Sequence, residues 1–331
     1  MATIYDIARH TGFSPPTVSK ALNDIGSISE ETKELIRKAA RELDYVPNMS
    51  ARTLTTRKSH LIGIIDSDLY RLDTFSPPTF TNIMAGFKQV MEKQNFELLL
   101  LSRLCPNYRN IDGILIMAAA PDQCDPSLYA RYPCISVNDT LSGITKVITA
   151  NYAGAVAAVQ HLIDLGHRRI AYIHGPITSL SQAAMERRRG YQDCLKRNGI
   201  PRDDTLIENA GNWQPPEGSE AARRLLNRRP DITAVFACSD HLAYGVLKTL
   251  AEKSRKVPRD VSVIGFDGDP FGEFFNPSLT TMSQDATLIG RTAGELLLKK
   301  LAGQKCPDAI RISAQLVVRE STRCQPDFTG D

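Results

Sequence analysis

The stretch Thr3–Asn23, TIYDIARHTGFSPPTVSKALN, decides how the amino end of this chain folds. Thr3 stands at a helix N-cap with Asp6 three positions on, an approximate capping box, and Ile4, Ile7 and Ala8 recur at helical spacing. Gly12 ends that helix. Ser14 caps a second one, in which Pro15 takes the first position, where a missing N–H costs nothing, and Val18, Ala21 and Leu22 form the buried stripe. Because Pro15 and Pro16 carry no amide hydrogen, the first N–H open to the Ser14 side chain is that of Thr17. Two short helices joined by a glycine-containing turn make a helix-turn-helix unit. Ser29 then caps a third helix with Glu30 and Glu31 in its first turn and Leu35, Ile36, Ala39, Ala40 and Leu43 on its inner face, and the helix stops before Pro47.

Charge agrees with a nucleic-acid partner without deciding the matter. Residues 1–60 hold nine Lys and Arg against seven Asp and Glu, a balance of only +2. Distribution is more telling: from Ala51 to Leu61 there are three basic residues and no acidic one, where the chain would approach phosphates.

The phrases TIYDIA, TVSKALN, ISEETKELIRKAARELDYVPN and SARTL, in this order, resemble the lactose-repressor and purine-repressor (LacI/GalR) family of bacterial transcription regulators. The resemblance implies that the second helix enters the major groove. It departs from the family at Pro15 and Pro16, which stand at the usual base-reading positions and offer only shape and apolar contact. Lys20 then becomes the candidate for a hydrogen bond to a base. Thr17, Ser19 and Asn23 are candidates for phosphate or base, Ser14 and Thr17 leaning to phosphate, and Thr3 and Tyr5 are assigned to the same surface. NMSARTLT, Asn48–Thr55, matches the family's hinge helix, so Asn48, Ala51, Arg52 and Leu54 are further DNA-contact candidates. So short a helix is marginal in water. The resemblance implies that two copies pair on DNA and wedge Leu54 into the minor groove, kinking the duplex.

At 331 residues with 42% hydrophobic content, the rest of the chain can bury a large core. There is no N-terminal apolar run and no 18-residue hydrophobic stretch, which predicts a cytoplasmic protein with no membrane partner. Seven cysteines, scattered and without CxxC spacing, read as reduced thiols. From Leu61 onward, LIGII, ELLLL, GILIM, CISV, RIAYI, TAVFA and VSVIGF alternate with helical patterns such as Ala153 to Leu165 and Met185 to Asn198. This predicts parallel sheets wound with helices.

Such a pattern fits many enzymes. HLIDLGHRRIAYIHGP, RRRGYQDCL, DITAVFACSDHLAYGVL, VPRDVSVIGFDGDPFGEFFNPSLTTMSQD and LVVRES are more specific, and resemble the ligand-binding part of the same family, related to periplasmic sugar-binding proteins. The expected fold is an all-α helix-turn-helix head (1–46), a hinge helix and linker (47–60), and an α/β periplasmic-binding-protein-like domain (61–331). That domain has two doubly wound parallel-sheet subdomains, about 61–150 plus 285–312 and 151–284 plus 313–331, joined by three crossovers around a ligand cleft.

For that cleft the resemblance implies Arg187, whose planar fork suits hydroxyl or carboxylate oxygens, and Asp267, which accepts from the ligand. Asp240 also lies at a strand end, where open parallel sheets place ligands. Trp213, the only tryptophan, stacks on a flat ligand face, and Asp68, Phe80 and Asn138 contribute from the other subdomain. Two departures are visible. The stretch Asp68 to Phe80 is longer than the usual family loop. Only about ten residues separate the strands ending at Ser102 and starting at Gly113, where a parallel crossover takes a dozen or more; a lost helix and an edited chain both fit this.

His161 and His167 lack metal-site spacing, and neither a P-loop nor a GxSxG elbow is present. No metal, cofactor or catalytic group is therefore expected. The sequence predicts a homodimeric regulator, with higher oligomers left open, of a pseudo-palindromic double-stranded DNA operator, controlled by a small molecule, chiefly a carbohydrate. A ligand-binding protein with a vestigial head is the alternative, and an enzyme a distant third.

Overall fold

The computed structural model describes residues 2–23, 26–45, 59–66, 78–101, 111–117, 127–138, 141–177 and 182–325. The chain divides into two compact units, the first ending at His60 and the second beginning at Leu61, with Asp112 grouped with the first.

In the first unit, α1 (Ile4–Thr11), α2 (Pro15–Leu22) and α3 (Glu30–Glu42) pack on one another. Asp6 accepts from the Thr3 amide at 2.9 Å and the Thr3 hydroxyl at 2.7 Å, which holds its carboxyl below the usual range. Gly12 closes α1 with φ 76°, a left-handed conformation that glycine adopts without a Cβ penalty. Ile7, Val18 and Ile36 are fully enclosed, and side chains of this size contribute about 1.5–3 kcal/mol each when buried. One expectation is corrected: Leu35 is not on the inner face but 50% exposed. It lies about 100° around the helix from Ile36, and Ile36 takes the core position. At the end of this unit Asp112 accepts from the Ser59 amide and hydroxyl and the His60 amide, at 2.8–3.0 Å.

The second unit holds two six-stranded sheets. The first has the order β11-β5-β4-β3-β1-β2 and is parallel throughout. Its strands are β1 (Leu61–Asp66), β2 (Glu97–Leu100), β3 (Gly113–Met117), β4 (Cys134–Val137), β5 (Thr145–Thr149) and β11 (Ala309–Ile312). The second has the order β12-β10-β9-β8-β6-β7, parallel except where β12 pairs with β10. Its strands are β6 (Ile170–His174), β7 (Ile207–Asn209), β8 (Ala234–Ala237), β9 (Ser262–Asp267), β10 (Thr280–Ser283) and β12 (Gln315–Val317).

Helices α4 (Pro78–Glu92) and α10 (Ala286–Leu301) pack together and share the first sheet's core through Phe87, Met91, Ile289 and Ala293. A short α5 (Ser127–Arg131) precedes β4. Helices α6 (Asn151–Asp164) and α7 (Gln182–Arg197) pair, as do α8 (Pro215–Arg228) and α9 (Asp240–Glu252), around the second core of Tyr172, Tyr191, Phe236 and Phe266. The chain leaves the first sheet after β5, returns to it after β10 and leaves again after β11. The passages touch: the Ala150 amide donates to the Ile312 carbonyl at 2.8 Å, and the Thr149 hydroxyl donates to Gln284 Oε1.

β1 pairs with both β2 and β3, so the connection from β2 to β3 must pass β1. Residues 102–110 of that short connection lie outside the described residues. The far edge of β2 carries no neighbouring strand among those described, and Leu99 and Leu100 there are 41% and 58% exposed.

Candidate functional site

The helix-turn-helix surface is built by capping. Ser14 Oγ accepts from the Thr17 amide at 3.3 Å, as the two prolines require, and lies 2.8 Å from the Thr17 hydroxyl. Asn23 closes α2 by donating from Nδ2 to the Ser19 carbonyl at 2.8 Å. Thr3, Ser14 and Asn23 thus spend polar groups on helix ends. Pro16, Lys20 and Tyr5 face solvent, Pro15 is half-buried, and Lys20 makes no hydrogen bond or ion pair among the described residues. Asn48, Ala51, Arg52, Leu54 and Asp68 lie outside the described residues.

The second site forms at the carboxyl ends of β8 and β9. Arg187, on α7, is 95% buried, so its charge needs several partners. Its guanidinium lies 3.6 Å over the Phe266 ring. Nε donates to Asn151 Oδ1 at 2.8 Å, and Nη1 donates to the Cys238 carbonyl and, at 3.2 Å, to Asp267 Oδ1. Asp267 ends β9 with φ 130°, a conformation that costs a non-glycine residue strain and is typically held by its surroundings at functional sites. Gln284 Nε2 also donates to its Oδ1, at 2.6 Å. Burial pushes the Asp267 carboxyl above its usual range, with Arg187 opposing. Arg187 Nη2 and Asp267 Oδ2 have no hydrogen-bond partner among the described residues, which leaves the pair with one unused donor and one unused acceptor.

Polar contacts extend this pair into the first sheet. Gln284 Oε1 accepts from the Thr149 hydroxyl, and the Thr149 amide donates to Asn138 Oδ1 at 3.1 Å. Asn138, Arg187 and Asp267 are therefore joined into one network through Gln284, Thr149 and Asn151. Sequence reasoning missed those three residues. They sit where the chain passes between sheets, which nothing in local periodicity marks.

Asp240 occupies a different place. It is 99% buried and accepts from the Gly268 amide at 2.8 Å, the Asp269 amide at 2.7 Å and the Thr281 hydroxyl at 2.6 Å. A Cβ at position 265 would come 2.1 Å from its Oδ1, so Gly265 leaves room for this carboxylate. Burial and the neighbouring Asp267 charge push Asp240 up to about 7, against the pull of its donors. With both oxygens engaged beneath the loop after β9, Asp240 supports Asp267 from behind, whereas the strand-end reading put it at the ligand surface.

Trp213 follows β7. Its ring lies over Gly175, where a Cβ would come 2.5–2.8 Å from three ring carbons. Trp213 is half-buried and packs against the second core.

The bacterial regulatory protein, lacI family, pattern matches residues 3–48, and the periplasmic binding protein-like domain matches residues 159–322. The transcriptional regulator CelR of Thermobifida fusca is 32% identical over 96% of this chain and 98% of its own length. The chain belongs to the LacI family. It is a transcriptional regulator, as are CelR and PurR, and its family is not one of enzymes. PurR of Histophilus somni (strain 2336) is 30% identical over 98% of this chain and 99% of its own length. Among solved structures, the CelR–cellobiose complex aligns with a TM-score of 0.72 and 30% identity, covering 97% of this chain and all of that one. The lac repressor dimer bound to operator and the anti-inducer ONPF aligns with a TM-score of 0.82 and 27% identity, covering 98% and 99%.

Within this LacI-family chain, Phe80 lies in the first turn of α4 and packs, half-buried, against the first sheet's core. No described helix is long and apolar enough to cross a membrane. Among the described residues no group of three or more His, Cys, Asp or Glu is placed to hold a metal ion.

Proposed function

We propose that this LacI-family regulator is a cytoplasmic repressor that binds a pseudo-palindromic operator as a homodimer, and that a carbohydrate in the cleft sets its operator affinity. The observation that carries the reading is the Arg187–Asp267 pair, whose unused donor Nη2 and acceptor Oδ2 match adjacent sugar hydroxyls. A vicinal diol offers one oxygen to accept and one O–H to donate, and charged partners make both bonds strong. Trp213 supplies the flat apolar surface against which a pyranose face packs, and Phe80 and Asn138 approach from the first subdomain. Asp240 positions Asp267 from beneath.

The head at 1–46 reads DNA, the segment 47–60 is the hinge, and the two subdomains of 61–331 hold the ligand. Lys20 is the base-reading residue, flanked by Pro15 and Pro16 as apolar surface and by Tyr5, Thr17 and Ser19 near phosphates. Asn48, Ala51 and Arg52 follow the backbone at the hinge, and Leu54 wedges into the minor groove. Self-association is supported by two exposed apolar features, Leu99 and Leu100 on the open edge of β2, and Phe271, Phe274 and Phe275 after β9, of which Phe274 is 82% exposed. Ligand that joins the subdomains through the Asn138–Thr149–Gln284–Asp267 network alters how two hinges meet. Ligand and DNA then change each other's affinity by the same factor.

Fluorescence anisotropy with selected palindromic duplexes, at several salt concentrations and with a panel of mono- and disaccharides, tests this. Site-specific binding that weakens steeply with salt and shifts with one sugar is the expected result. Weak binding indifferent to sequence would instead make the chain a ligand-binding protein with a vestigial head, a reading that the prolines at positions 15 and 16 favour.

A further inference from the structure

A cavity of about 490 Å³ opens at the β7 edge of the second sheet, between the carboxyl end of β6, the first turns of α7 and the loop before β7. Four polar side chains line it: His174, Arg188, Arg202 and Asn209, with Asp204 at the rim and Ile177 and Ile207 as apolar wall. It is separate from the Arg187 network, because Arg188 is the next residue on α7 and points about 100° away.

Two of these groups are unspent. Arg188 is half-buried and has no hydrogen bond or ion pair among the described residues. Arg202, by contrast, is held by Asp204 at 2.8 and 3.1 Å, so the two cancel. The cavity therefore keeps one net positive charge. His174 is 95% buried, and its Nδ1 lies 2.6 Å from the Gly175 carbonyl. A carbonyl only accepts, so Nδ1 carries the proton and neutral Nε2 offers a lone pair. Nε2 has no partner among the described residues. An unpaired guanidinium fork beside a buried acceptor favours a ligand that bears both O⁻ and O–H groups. The volume is far more than one phosphate fills, and the isoleucines suit a carbon skeleton.

We propose that this cavity is a second small-molecule site that takes a phosphorylated sugar, with the phosphate on Arg188 and a hydroxyl donating to His174 Nε2. His174 also links the site to the cleft: its Nδ1 holds the Gly175 carbonyl, and Gly175 is the surface on which Trp213 rests. A ligand that fixes His174 therefore fixes the shelf beneath Trp213, and the two sites become coupled.

Calorimetric titration of the full chain with glucose 1-phosphate, inorganic phosphate and glucose tests the proposal. Glucose 1-phosphate binds saturably, inorganic phosphate more weakly and glucose not at this site. Arg188→Gln, a half-exposed change that the fold tolerates, weakens glucose 1-phosphate at least about tenfold, the loss of one charge-assisted contact, and Arg188→Lys recovers part of it. Asp267→Asn leaves this binding in place, which separates it from the cleft and from any failure of the cleft reading. Saturable binding lost in Asp267→Asn but kept in Arg188→Gln would overturn the proposal, as would no saturable binding up to about 10 mM, weaker than any specific regulatory ligand needs.

Discussion

The indole of Trp213 rests directly on the backbone of Gly175: a Cβ at position 175 would lie 2.5 Å from Cδ2 and 2.6 Å from Cε2 of the ring. Gly175→Ala therefore displaces Trp213. Overpacking of this kind costs about 1–3 kcal/mol. We expect a lower melting temperature together with roughly tenfold weaker sugar binding, read by calorimetry. Unchanged affinity would mean that the indole face does not touch the ligand.

Asp267→Asn keeps the shape of the site but removes the charge opposite Arg187. Gln284 and Arg187 both donate to Oδ1, so an amide oxygen there can keep both contacts, while the acceptor Oδ2 offered to the sugar becomes an NH2 donor. The sugar response should fall at least about tenfold, the value of a charged hydrogen bond, while operator binding without ligand persists. Anisotropy of a labelled operator with and without sugar separates the two effects; a variant that still responds normally would remove Asp267 from the ligand surface.

In the head, Ser14→Ala removes the acceptor for the Thr17 amide. Loss of such a cap costs about 1 kcal/mol, which should appear as earlier thermal unfolding of the head and weaker binding to all duplexes alike.

Lys20→Ala should behave differently from the cap variant. Lys20 is exposed and unpaired among the described residues, so its removal leaves the fold intact. Discrimination between operator sequences should drop by about 1–3 kcal/mol at one base pair. An equal loss on every sequence would assign Lys20 to phosphate instead.

His167 gives a pH dependence. It is 1% exposed. Nδ1 accepts from Gln325 Nε2 at 3.0 Å and Nε2 lies 3.1 Å from the Arg323 carbonyl, so the folded ring is neutral with its proton on Nε2. Burial pushes its pKa down from 6.5 to about 4. A histidine whose folded pKa is depressed contributes stability that is full above pH 6.5 and is lost as pH falls from 6.5 towards 4, up to about 3 kcal/mol. His167→Gln should be less stable than the wild type at pH 8 and lose less over that interval, as followed by chemical denaturation. Parallel curves for the two proteins would exclude the role.

The readable part of the second unit was its apolar part. Runs such as GILIM and AVFA, buried along their length as β3 and β8, announce strands by composition. β10 does not: in TTMS, Thr280 and Thr281 are fully buried, because Thr281 donates to Asp240 and the Thr280 amide donates to Ser321 Oγ. Those partners are about 40 residues away in sequence. Strands β7 and β12, three residues each, are too short for a periodic signal. The same distance problem explains Asp240, whose strand-end position looked like a ligand site until the loop after β9 closed over it.

By itself the sequence determined the short-range features: the caps at Thr3, Ser14 and Ser29, the turn at Gly12, the apolar strands and helices, and the family. Each depends on neighbours within a few residues, through backbone dihedrals, local hydrogen bonds and side-chain periodicity. Only the tertiary structure decided which polar groups are spent and which are left over. It placed Gln284, Thr149 and Asn151 between Asn138, Asp267 and Arg187, buried Asp240 and left Arg188 unpaired, because burial and partnership of a charge depend on chain segments brought together from far apart.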